Sequence, residues 1–200
     1  MAKTAQSTSA RERRLWMIAG IYVLVVYSTL YLTPFVTDFL RARNLLRVSV
    51  WLCLAAGAAW VLAVLWRQRP TRGELAVLAA AAALSAALLA GLSIPEERLH
   101  LPEYGVLGGL IYSALQERHQ QVARQLERSQ AFSRYTWWAG GTAILLTAMC
   151  GSLDEVIQAM LPNRVGSLRD AVLNFEVAVV AVGAFAGRDW VRGVSLHARG

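Results

Sequence analysis

The chain has 200 residues, of which 56% are hydrophobic and only 16% charged, with a net charge of +7 and a mean hydropathy of +0.41. That is the profile of an integral membrane protein, and it leaves no room for a separate soluble domain. The arginines sit at the borders of apolar runs, where membrane topology accounts for them, so nucleic acid is not an expected partner.

Residues 1–10 are polar and rich in Ser, Thr and Ala, which predicts a flexible tail; with Arg11, Arg13 and Arg14 it forms a basic N-terminal segment over 1–14. The apolar stretch 15–35 is too long for a signal-peptide core and has no small-residue cleavage site after it, so it reads as an uncleaved signal anchor. Two further runs, 45–66 and 75–94, complete three transmembrane helices over 15–94. Cys53 and Cys150 lie inside apolar runs without CxxC or His spacing, so neither a disulfide framework nor a metal site is expected, and no cofactor is implied. Tyr22, Tyr27, Tyr31, Trp51, Trp60 and Trp66 read as packing and interface anchors. The alanine run 79–83 and the pairs Gly105/Gly109 and Gly183/Gly187 read as sites of close helix contact.

Three more spans are expected at 99–115, 136–161 and 168–186. The first of these has an uninterrupted apolar part, 104–115, too short to cross alone, so its helix must start near Leu99 and carry His100 and Glu103 into the interface. Residues 116–134 are polar with a weak apolar stripe, which predicts a surface helix extending that span. Residues 188–200 read as a C-terminal tail. The expected fold is therefore all-α, a polytopic transmembrane bundle of about six spans. With the N-terminus inside, only Arg41, Arg43, Arg47, Arg98, Arg164 and Arg169 of the 20 Lys and Arg fall outside. This asymmetry favours both termini in the cytoplasm.

Between the last two apolar runs the chain carries Asp154, Glu155, Gln158, Arg164, Asp170 and Asn174. Such groups at the ends of membrane helices require partners or water, and their default reading is a functional site. Asp154 with Gln158 and Asp170 with Asn174 have the spacing of one helix face, as do Glu97, His100 and Tyr104. The topology brings all three stretches to the extracytoplasmic side. Arg164 and Arg98 are the cations expected to hold the acids, and Pro162 is expected to turn the chain so that Arg164 folds back.

In order and spacing, Glu97, His100 and Tyr104, then Asp154-Glu155 with Gln158, Pro162-Asn163-Arg164, and Asp170 with Asn174 resemble the VanZ-like family of bacterial membrane proteins. The resemblance covers residues 95–187. The departure is at Glu96-Glu97, where the family commonly has Asp-Lys; Arg98 is the basic residue nearest that position. The resemblance implies a bacterial cytoplasmic (inner) membrane location, multi-pass, and a role in the cell envelope tied to glycopeptide antibiotic resistance.

His100, Asp154 and Glu155 are the candidate proton-transfer residues. Glu97, Glu103, Tyr104, Gln158, Arg164, Asp170 and Asn174 are the candidate substrate contacts. The competing reading is an ion-pair and hydrogen-bond network that locks helices together. Glu176 stands on another face of the last span, where it is either neutral or paired with a polar group elsewhere. No Walker loop, HExxH, GxSxG or CxxC motif occurs, so nucleotide-driven transport and common hydrolase mechanisms lose support. Expected partners are membrane lipids, a lipid-linked or peptidoglycan-related envelope substrate, and a membrane protein partner if the chain is instead a non-catalytic subunit or scaffold. A secondary transporter would show an inverted repeat, and none is visible.

Overall fold

The computed structural model describes residues 9–125, 131–162, 164 and 166–197, and is all-helical. Among the described residues the order is α1 (Ala10–Thr29), α2 (Thr33–Ala42), α3 (Leu46–Gln68), α4 (Arg72–Ala90), a 3-10 turn (Glu96–Leu99), α5 (His100–Gln125), α6 (Ala131–Met160) and α7 (Leu168–His197). Four of these helices are long and apolar enough to cross a membrane, or five if the bent pair α1 and α2 is one span.

The helix boundaries follow local chemistry. Ser9 caps α1 by accepting from the Glu12 N–H at 3.0 Å, and Thr71 and Glu74 form a reciprocal capping box at the start of α4, each satisfying N–H groups that have no partner within the helix. The expected single span 15–35 is instead broken: α1 ends at Thr29, and α2 leaves at 56°. Pro34 supplies the reason, because its ring lacks an N–H and clashes with the carbonyl four residues back. The expected basic tail is helical from Ala10, and the expected C-terminal tail is helical to His197. Residues 1–8, Asn163 and residues 126–130 of the expected surface helix lie outside the described residues.

α5 is the central helix, packed against α1, α6 and α7, while α4 packs on α7. This explains why α5 is missing from the strongly apolar helices. Enclosed by other helices, it presents little surface to a bilayer and needs no apolar girdle. Tyr104, Leu107, Ile111, Tyr112 and Ala114 are buried along it. Gly109 permits the approach of α7, since a Cβ there would stand 2.6 Å from the Phe185 ring. Gly187 plays the same part against Val77, whereas Gly183 faces open space. The alanine run is not used this way: Ala79, Ala80, Ala82 and Ala83 are exposed.

α6 and α7 are apolar outside and polar inside at one end. On α6, Leu145, Met149, Leu153, Val156 and Met160 face outward, while Ala143, Thr147, Gly151, Asp154 and Gln158 are buried. On α7, Val172, Phe175 and Val179 face outward and Asn174, Val177 and Val182 inward. This inverts the soluble pattern and suits a surrounding bilayer.

Candidate functional site

The N-terminal end of α5, the C-terminal end of α6 and the N-terminal end of α7 meet at the same end of the bundle. Asp154 is 1% exposed, and its Oδ2 accepts from the Tyr104 hydroxyl at 2.6 Å. The Tyr104 ring in turn stacks on His100 with centroids 5.9 Å apart. Glu155 Oε2 accepts from the Ser167 N–H at 2.8 Å and Oε1 from Gln158 Nε2 at 3.4 Å. Ser167 precedes α7, so this carboxylate sits against unpaired N–H groups at the positive end of the helix dipole. Ser167 Oγ also accepts from the Asp170 N–H at 3.3 Å, which caps α7. Asn174, fully buried, donates from Nδ2 to the Gly151 carbonyl at 3.3 Å.

The two glycines here are positions of close approach. A Cβ on Gly151 would stand 2.6 Å from Asn174 Cβ, and one on Gly166 would run into the Glu155 carbonyl and Ala159. Both would push apart the helices that assemble the cluster.

His100, Glu155 and Asp170 offer ligand atoms that all lie within 4.8 Å of one another. Asp170, Asp154 and Arg164 also act electrostatically on His100; Asp154, Arg164 and Glu155 act on Glu103. Several buried atoms here have no hydrogen-bond partner: His100 Nδ1, Asp154 Oδ1, Arg164 Nε, Asp170 Oδ1 and Asn174 Oδ1. His100 Nδ1 and Glu103 Oε2 are 3.8 Å apart, beyond hydrogen-bond reach. Buried polar atoms are rarely left this way.

Every candidate residue is thus at this end, but the cations are assigned differently from expectation. Among the described residues no carboxylate lies within ion-pair distance of Arg164. Arg98 does not hold the acids; its Nη2 donates to the Leu92 carbonyl at 2.8 Å and its guanidinium lies 5.1 Å from the Trp51 ring centroid. Glu97 pairs instead with Arg169 at 3.7 Å, and Glu96 with Arg41. Glu97 also sits in the 3-10 turn rather than on α5 with His100. Burial, then the nearby Asp170, pushes its carboxyl above the ordinary value, while Arg169 pulls the other way. Glu176 is exposed on the outer face of α7, away from the cluster.

The sequence reading missed Gly166, Ser167 and Arg169, and gave Tyr22 and Tyr27 too little weight. Tyr22 donates to the Glu103 carbonyl at 3.1 Å and Tyr27 to the Cys150 carbonyl at 2.8 Å, tying α1 to the two helices that carry the acids. The Ser167-x-x-Asp170 spacing was the available signal, because it is a helix-start pattern. No such signal exists for the tyrosines, whose partners are backbone carbonyls.

No family model, curated protein or solved structure matches this chain.

Proposed function

We propose that this chain is a VanZ-like protein of the bacterial cytoplasmic membrane that crosses it six times, with both termini in the cytoplasm. Its polar cluster opens at the extracytoplasmic end, where it binds, or binds and modifies, a lipid-linked or peptidoglycan-related envelope substrate. One observation carries the reading: three polar stretches converge, and buried atoms of His100, Asp154, Arg164, Asp170 and Asn174 have no partner among their neighbours. A purely structural network would be expected to satisfy its own members.

The span count rests on α5. Its 26 residues reach about 39 Å at 1.5 Å per residue, more than the roughly 30 Å of a bilayer core. Its polarity is supported by the helices around it. The orientation rests on the arginines, which crowd the opposite end of the bundle, and on the positive-inside rule. In the cluster His100, Asp154 and Glu155 are the groups able to move protons, and Arg164 is the cation for an anionic headgroup.

The test is genetic. Conservative changes His100→Gln, Glu155→Gln and Arg164→Lys, with protein abundance matched to wild type, are expected to reproduce the envelope or glycopeptide-susceptibility phenotype of a deletion. If a deletion has a phenotype that all three variants fail to show, the reading fails.

A second reading, a non-catalytic subunit or scaffold, is favoured by the bonds that join helices, Tyr104 to Asp154 and Asn174 to Gly151. Its mark is loss of abundance on replacing Asp154, together with co-purification of one membrane protein partner.

A further inference from the structure

We infer that His100, Glu155 and Asp170 bind one divalent transition-metal cation. The three residues come from three different helical segments, so no sequence spacing announces them, and their ligand atoms lie within 4.8 Å of one another. Two ligands at about 2.1 Å from one ion stand at most about 4.2 Å apart, so small side-chain rotations complete the geometry.

A second observation points the same way. His100 Nδ1 and Asp170 Oδ1 are buried without a hydrogen-bond partner, and Asp154, 1% exposed, keeps Oδ1 unpartnered as well. Charge balance agrees. Glu103, Asp154, Glu155 and Asp170 lie within electrostatic reach of one another or of His100, with Arg164 the cation acting on the same groups. A dication offsets the acidic excess, which buried groups otherwise bear at high cost.

The donor set selects the class of ion. One imidazole and two carboxylates, with no thiolate, suit Zn2+ or Mn2+ better than Cu+, and the imidazole disfavours Mg2+ and Ca2+. Ligand orientation is already supplied: the Ser167 N–H and Gln158 fix Glu155, and Tyr104 stacks on the His100 ring. Such partners are the usual supports of metal ligands. With His100 and Glu155 on the ion, Asp154 is the group left to move protons in the proposed site, and three protein ligands leave coordination positions open, as in catalytic rather than structural sites.

The full chain, purified in micelles without a histidine tag and stripped with EDTA, is titrated with ZnCl2 and separately with MnCl2, and retained metal is counted by mass spectrometry. One ion per chain is expected, with affinity lowered about tenfold or more in His100→Ala and in Asp170→Asn. Glu176→Gln, on the outer face of α7, is expected to bind like wild type. In Mn2+-loaded wild type, pulsed EPR is expected to show nitrogen modulation from one coordinated imidazole, which requires no variant. A folded wild type that retains no ion, an ion with oxygen ligands only, or undiminished binding in either variant overturns the inference. A chain that retains no metal yet loses envelope function on Arg164→Lys removes this inference and leaves the substrate reading standing.

Discussion

The Tyr104 hydroxyl meets Asp154 deep in the bundle, where a hydrogen bond to a carboxylate counts for more than at a surface. Tyr104→Phe keeps the ring that stacks on His100 and removes only the donor. It is expected to cost about 2 kcal/mol, the usual scale for a bond to a charged group, read as a lowered unfolding midpoint in micelles. A cost within error of zero would show that Asp154 finds another donor. Gly151 offers a cleaner probe of helix approach. Gly151→Ala places a methyl group against Asn174 and is expected to destabilise by about 1–3 kcal/mol. Adding Asn174→Gly to it removes the Cβ that the new methyl group meets, so the double variant is expected to be less destabilised than the two single costs added together. Simple additivity in thermal unfolding would contradict the packing assigned here. At this scale the sequence was informative about which residues cluster, because i,i+3 and i,i+4 spacing is local. It misassigned the pairing: Arg98, expected to hold the acids, lies next to Glu97, yet Arg169 is its salt-bridge partner.

At the level of elements, the end opposite the cluster is held by a second polar network that hydropathy does not reveal. Glu74, 2% exposed, caps α4 and accepts from Arg192 Nε at 2.6 Å and Arg188 Nε at 3.3 Å on α7. Tyr112 on α5 donates to Asp189 at 3.0 Å. Glu74→Ala removes the α4 cap and the carboxylate that Arg192 and Arg188 share, although Arg188 keeps its bond to Gln68, and is expected to cost about 2–3 kcal/mol. Asp38→Ala, which removes only the exposed pair with Arg41, is expected to cost about 1 kcal/mol or less. Unfolding midpoints of the two variants compared side by side check the ranking; equal losses would contradict it. Most helices were legible because apolar runs of membrane length dominate the chain. Three features were not. The bend at Pro34 was hidden by an apolar run continuing through it, and α5 looked doubtful because its polarity reflects enclosure by α1, α6 and α7, which local hydropathy does not encode. The Glu74 network was likewise invisible, since its partners are on separate helices.

For the molecule as a whole, the cluster and the arginine-rich end lie at opposite ends of one bundle, which is what an envelope-facing site with cytoplasmic termini requires. Reporter fusions at the N- and C-termini are expected to report the same, cytoplasmic side; opposite sides would remove the six-span reading. That the three stretches meet at one end of the bundle was legible, because successive long helices return the chain to the same end. The chemistry of the site was not, because His100, Glu155 and Asp170 become neighbours only on folding. The claim that the cluster binds a lipid-linked envelope substrate is tested most directly by native mass spectrometry of the chain extracted from its own membrane. Wild type is expected to carry a phosphate-bearing lipid-linked envelope precursor that is lost in folded Arg164→Gln and Glu155→Gln. An identical bound-lipid profile in all three proteins would contradict it.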